Sequence, residues 1–546
     1  MEQLQPKLFS TLKNYSGKQF TKDLVAGIIV AIVALPLSIA LAIASGVGPE
    51  QGLYTAIIAG FFISFLGGSR VQIGGPTAAF VVIIYGIVAD YGMSGLTVAT
   101  LLAGIMLIIM GLCRLGSLIK FIPKTITIGF TFGIAVSIFA GQLKDFFGLQ
   151  MGAVPSEFVE KIVAYSENIH TIHLPTLAIG AAALLIQIIW PRITDKIPGS
   201  LIAILVTTAA VKLGNLPVAT IGDLYVITPG FPAFTAPDIS FKLVQEMVSP
   251  AFTIAILAAI ESLLSCVVSD GMIGDRHRSN AELIGQGVGN IMSALFGGIP
   301  ATGAIARTAA NVKNGGRTPI AGMVHALTLL LILIFLMPYA SMIPMTCLAA
   351  ILIMVAYNMS GWKGFIHMMK TAPRSDAFIL VLTFLLTVFF DLVIAIEIGM
   401  VLAAFLFMKR MSDVAEVKSW IYLEELSEEE MLNQVDLKQV PRHTMVYEIS
   451  GPMFFGSTDN FLNVTNQKGK RVLILRMRSV PAMDISGLHA LEEILTVCRK
   501  KGITLLLSHV NEQPMKVMEK AGFIDRLGKE NLCEHIDEAL EKASKM

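Results

Sequence analysis

Residues 295–311 read LFGGIPATGAIARTAAN, and residues 65–80 read FLGGSRVQIGGPTAAF. Each stretch closes an apolar run on Gly-Gly, passes through a loop with glycine and proline, and resumes at Thr-Ala-Ala. Glycine and proline are the poorest helix formers, so each copy marks a helix that stops and another that starts. Both breaks lie within strongly apolar sequence. Seven apolar segments separate the copies, an odd number, so across a membrane they face opposite ways. Inverted repeats with interrupted helices are the signature of secondary transporters that bind substrate at the bilayer midplane.

The rest of the chain agrees with a membrane setting. Of its 546 residues, 54% are hydrophobic and only 15% are charged, against about 25% charged in soluble proteins. Mean hydropathy is +0.70. Fourteen apolar segments can be marked between Lys22 and Arg410, the shortest near 76–89 and 303–313. A span needs about 20 apolar residues, fewer where the helix is broken. Fourteen crossings put nineteen lysines and arginines on one side. Lys144, Lys161, Lys212 and Lys242 remain on the other. The positive-inside rule then predicts that both termini are cytoplasmic. The polar, lysine-bearing start is too long and too polar for a cleaved signal peptide.

The expected layout is a cytoplasmic segment over 1–21 and a transporter domain over 22–411. Its repeats fall at about 22–213 and 250–411. A charged linker over 412–439 leads to a small α/β domain over 440–546, where RVLILRM and ITLLLSH read as strands and SGLHALEEILTVCRKK as an amphipathic helix.

Arg307 follows the second break directly. An arginine at mid-membrane costs about 2.5–3.5 kcal/mol on insertion scales, so it should face a wet cavity or an anion. A helix that starts inside the membrane adds free N–H donors and about half a positive charge. The matching start is at Gly74-Gly75-Pro76-Thr77. Two such starts and one guanidinium make an anion site. Glu261 lies eleven residues past Pro250, about 16 Å along a helix. A lone carboxylate at that depth takes up protons readily, which makes it a coupling group or a partner for Arg307. Ser265 sits one turn on. The pair Gly285 and Gly289 fits a close helix contact.

Cys113, Cys266, Cys347, Cys498 and Cys533 have no zinc or redox spacing, and no metal or cofactor is expected. No phosphate-binding P-loop or catalytic triad occurs in the sequence. The chain therefore does not read as an ATP-driven pump or an enzyme, and nothing points to nucleic acid.

The motifs GGPTAAF (74–80), AIESLLS (259–265), AELIGQGVGNI (281–291) and TGAIARTAAN (302–311) resemble the SulP family of anion transporters. MDISGL (483–488) resembles the loop of a STAS domain. The resemblance implies a polytopic α-helical protein of 14 spans in seven-plus-seven inverted repeats, divided into core and gate domains, followed by a cytosolic α/β STAS domain. It implies a homodimer, elevator transport, and an anion held by Ser38, Leu41, Gly75, Pro76, Thr77, Ala306 and Arg307, with Thr308 beside them. Glu261, with Ser265, would couple a proton or sodium. Some members carry serine where this chain has Ala306, which removes one hydroxyl ligand. GPTAAFVVIIYG, IESLLSCVVSDGM and ISGPMFFGS are nearest to bacterial uptake transporters for C4-dicarboxylates and aspartate. Ser486 corresponds to a serine phosphorylated in free-standing STAS proteins, and it also reads as a helix N-cap. The expectation is proton-coupled dicarboxylate uptake at a bacterial inner membrane, with lipid around the spans and a cytosolic partner for the STAS domain. Sulfate or bicarbonate transport is the alternative within the family. An anion channel or a membrane sensor is the alternative outside it.

Overall fold

The structure is a computed structural model. It describes residues 4–117, 123–152, 154–155, 157–194, 198–225, 230–236, 240–390, 392–414, 416–419, 440–441, 443–454 and 471–546. The chain forms two compact units, 1–400 and 401–546.

The first unit opens with a short helix α1 (Lys7–Thr11), then α2 (Gly17–Ala44) and α3 (Pro49–Leu66). A two-residue strand β1 (Gly74–Gly75) precedes α4 (Val81–Leu112), which a single turn of 3-10 helix leads into. Then follow α5 (Lys124–Gly141), α6 (Leu174–Ile189) and α7 (Gly199–Gly214). The second half repeats the plan with α8 (Phe241–Ile273), α9 (Ser279–Leu295), strand β2 (Thr302–Gly303) and α10 (Ile305–Lys313). It ends with α11 (Ile320–Phe335), α12 (Met345–Ser360), α13 (Arg374–Phe389) and α14 (Leu392–Val414), the last of which continues past the boundary at residue 400. Among the described residues, six helical stretches are long and apolar enough to cross a membrane, and shorter apolar helices accompany them. The third and fourth expected segments are the two parts of α4, two helices that meet at a kink at Gly92, where the backbone leaves helical geometry at φ 65° and ψ −166°.

The helices pack as two groups. One joins α2, α3, α4, α8, α9, α10 and α11, and the other joins α5, α6, α7, α12 and α13. Small residues set the approach of α9 to α3: a Cβ on Gly285 would come within 2.7 Å of Gly67 Cα, and one on Gly289 within 2.7 Å of Ile63. Backbones this close gain dispersion where apolar burial gives little drive.

The second unit is a five-stranded sheet in the order β3 (Glu416–Ser419), β4 (Thr444–Ser450), β5 (Val472–Ser479), β6 (Thr504–Ser508), β7 (Leu532–Cys533). Only the β3–β4 pair is antiparallel. The helices are α15 (Ile485–Lys500), α16 (Glu512–Lys520) and α17 (Ile536–Ser544). Alternate residues of β5 and β6 face opposite sides. Leu473, Leu475, Leu505 and Leu507 pack with Leu491 and Ile494 of α15, while Ile474 and Leu506 pack with Ala539 and Leu540 of α17. Burial on both faces explains the unbroken apolar run of β5. Strand β3 comes from the stretch expected to be linker. Its charged sequence suits an edge strand, which is paired on one side only. Most of that expected linker lies outside the described residues.

One expectation for this unit needs correction. The N-cap of α15 is Asp484, whose carboxylate accepts from Gly487 N at 2.8 Å, so Ser486 stands inside the first turn. The helix starts two residues earlier than the serine cap required, and an aspartate there also suits the helix dipole. Burial pushes the Cys498 thiol up to about 11, which keeps it an unreactive core residue.

Candidate anion site

The two helix breaks meet. Strands β1 and β2 pair antiparallel, with Gly74 opposite Gly303 and Gly75 opposite Thr302. Three residues beyond β1 the 3-10 turn into α4 begins at Ala78, and two beyond β2 α10 begins at Ile305. The expected convergence of two half-helices is thus made by a two-residue ladder at the crossing of the repeats.

Neither start is capped by a side chain. Ala304 precedes α10 and has nothing to cap with. Thr77 precedes the other start, but its hydroxyl donates to Glu261 Oε2 at 3.0 Å. The first-turn N–H groups on both sides are therefore left for a ligand or water. Ile305 is 43% exposed and Ala306 is exposed too, although both lie deep in the sequence of a membrane unit. The start of α10 thus opens on accessible space.

Arg307 is 2% exposed. Its Nη2 donates to Pro76 O at 2.9 Å, while Nε and Nη1 have no partner. It makes no ion pair with Glu261, one of the two roles expected for that residue. The guanidinium occupies the room left by the missing side chain of Gly75, where a Cβ would overlap Nη1. Cation, carbonyl and helix starts thus gather at the ends of one two-residue ladder. Unsatisfied buried donors are rare in folded proteins and call for an occupant.

The other expected residues divide. Ser38 and Leu41 are fully buried on α2, and the Ser38 hydroxyl has no partner. Thr308 is buried, accepts from Ile73 N at 3.1 Å and receives the Ser265 hydroxyl at 3.3 Å. Those two hydroxyls tie α10 and α8 to the strand. Glu261 sits in the middle of α8, partly exposed beside Thr77.

Several supporting residues escaped the sequence reading. Ser262 shares a hydrogen bond with Thr302 at 2.7 Å and accepts from Gly303 N at 3.0 Å. Asn290 clasps Ala301 through both N–H and C=O at 2.8 and 2.9 Å. Glu282 of α9 is fully buried and accepts from Gly68 N (2.8 Å), Ser69 N (3.0 Å), Gln72 Nε2 (3.2 Å) and Gln286 Nε2 (2.9 Å). All four partners donate, so the site requires an acceptor-only carboxylate. A glutamine would aim N–H groups at two of these donors. Glu282→Gln is expected to lower stability by about 1–3 kcal/mol for each donor left without an acceptor. The thermal midpoint of the purified chain measures this; an unchanged midpoint would contradict it.

A helical membrane body with two broken helices meeting at an uncapped, arginine-bearing site is the architecture of an anion transporter. The comparisons with known proteins agree. The model of the Sulfate permease family matches residues 20–383, and that of the STAS domain matches 434–539. A candidate sulfate transporter of Bacillus subtilis, YvdB, is 40% identical over 531 residues, covering 96% of this chain and 98% of that one. The bicarbonate transporter BicA of Picosynechococcus is 30% identical, covering 95% and 94%. The structure of murine Slc26a9 in the inward-facing state superposes with a TM-score of 0.90 at 18% identity, covering 100% of this chain and 94% of that one. The transmembrane domain of BicA gives 0.65 at 30% identity, covering 70% and 98%. The chain belongs to the sulfate permease family of anion transporters and ends in a STAS domain.

Proposed function

We propose that the chain is a proton-coupled symporter that takes up a C4-dicarboxylate such as succinate, fumarate or aspartate by an elevator movement. The observation that carries this reading is Thr77. The residue that would cap one helix start instead binds Glu261, so the proton site and the anion site share one side chain. When Glu261 is ionised, its charge opposes a dianion at the neighbouring N–H groups. When it is protonated, that repulsion is gone. Anion and proton therefore favour each other, as symport requires.

The anion would lie between the starts at Ala78 and Ile305, near Gly75, Pro76, Thr77, Ala306 and Arg307, with Ser38 and Leu41 behind. Ser265 and Thr308 support that strand. In this reading the protein is a homodimer in a bacterial inner membrane with both termini cytoplasmic, and Ser486 would be modified through a cytosolic partner. Sulfate is the second reading for the dianion, favoured by the 40% identity to YvdB.

Proteoliposomes test the proposal. An inward proton gradient should drive labelled succinate uptake against its concentration, without sodium. Competition by aspartate, sulfate and bicarbonate then ranks the substrates. Glu261→Gln is expected to abolish proton-driven accumulation while anion exchange persists. An unchanged proton dependence would remove Glu261 from the mechanism, and flux that stays linear with concentration would point to a channel.

A further inference from the structure

The N-terminal segment has two faces with different fates. Its inner face is pinned to the protein. Leu8 of α1 is 5% exposed, Lys7 N donates to Gly67 O at 2.9 Å, and Lys7 Nζ reaches Arg276 O at 2.7 Å and Asp275 at 3.2 Å. Arg278 reaches back to Gln5 O at 3.0 Å. Further on, Tyr15 and Gln19 donate to the buried Asp23 at 3.0 and 2.9 Å. Burial and the Asp23 carboxylate push Tyr15 up to about 12, so it stays a hydroxyl donor.

Among the described residues the outer face has no cover. Phe9 is 55% exposed, Leu12 44% and Phe20 45%. Between and beside them stand Lys13, Lys18 and Lys22, all exposed, and none is in an ion pair among the described residues. Aromatic and aliphatic side chains interleaved with unpaired lysines fit a surface that is apolar beneath and anionic on top. That is the headgroup layer of a bilayer containing acidic phospholipid.

A second observation sets the depth. The Phe9 ring meets Phe65 edge-on at 6.3 Å, and Phe65 stacks on Phe61 at 6.0 Å. Phe61 is itself exposed, on the apolar second half of α3. Phe9 therefore extends an exposed aromatic row running along a membrane helix to its end. Lys13 follows Phe9 by four residues in the same segment, so charge succeeds the end of that row.

We propose that residues 7–22 lie in the membrane interface and bind acidic phospholipid, with Phe9, Leu12 and Phe20 entering the acyl boundary and Lys13, Lys18 and Lys22 meeting the phosphates. The same segment holds Gly67, at the head of the loop that leads into β1, so lipid and anion site bear on one stretch of backbone. The alternative cover, another protein surface, is an outcome of the test.

The test puts an indole on the outer face of the full-length chain by Leu12→Trp and compares its emission with that of the parent chain. The protein is placed in vesicles of phosphatidylcholine, or of phosphatidylcholine and phosphatidylglycerol in equal parts, with bromine near the top of the acyl chains. The expected result is loss of most of the added emission in the anionic vesicles. That loss should fall to the level seen in neutral vesicles when Lys13→Gln, Lys18→Gln and Lys22→Gln are combined. Added emission that bromine leaves untouched in both vesicles would mean that protein covers this face. Quenching equal in the two vesicles and unchanged by the glutamines would show contact without recognition of charge. Either result overturns the proposal, and neither depends on which anion is transported.

Discussion

Arg307→Gln is expected to weaken anion binding by about 10- to 150-fold while the protein remains folded. Glutamine ends at the position of the arginine Nε, two bonds short of Nη2, so it also releases Pro76 O, the one bond the guanidinium makes. The charge and the free Nε and Nη1 donors are lost. A hydrogen bond to a charged group contributes about 1.5–3 kcal/mol, and each 1.4 kcal/mol is a factor of ten. Removing an uncompensated buried cation should also leave the anion-free protein as stable as before, or more so. Titration calorimetry gives the affinity and a thermal melt gives the stability. Normal affinity in a folded variant would take Arg307 out of the site.

Gly75→Ala is expected to lower binding at least as much by a different route. The new methyl group would overlap Arg307 Nη1, and the backbone at φ +156° favours glycine. The obstructing atom is the tip of a long side chain, so the guanidinium should swing off Pro76 rather than the strand come apart. The two substitutions therefore remove one arrangement twice. In an Arg307→Gln background, Gly75→Ala should cost less than it does alone. The double-mutant cycle should show a coupling of about 0.5–3 kcal/mol. Full additivity would mean that the alanine acts through strand geometry instead.

The parts of this site that were legible in the sequence are those that violate a local rule. Glycines and prolines in a hydrophobic run, an arginine after them and a glutamate in mid-helix are costly, so each points to a compensation. The two breaks resembled each other enough to reveal the repeat. What pairs with what could not be read. Nothing in Thr77 says that its hydroxyl turns to Glu261 instead of capping its own helix. Thr302 and Ser262 lie 40 residues apart and read as ordinary small polar residues until the strand pairing brings them together. Glu282 is marked in the sequence as well. A carboxylate inside AELIGQG, on a helix pressed against two others, needs several donors, and the loop at Gly68–Gln72 supplies three of them. In the second unit the apolar run of β5 was plain, whereas β3 was hidden because an edge strand tolerates charge. The cap of α15 was misplaced by two residues because Asp484 and Ser486 are both good capping types and the choice rests on where the chain turns in.

The central claim is that two uncapped helix starts and Arg307 hold one anion between them. The most direct test is a structure of the full chain soaked with an electron-dense dianion, selenate or bromosuccinate. The account predicts density within hydrogen-bond reach of the first-turn amides that follow Thr77 and Ala304, with the guanidinium turned toward it. Density only at some other place, with Arg307 still bound to Pro76 O alone, would contradict it.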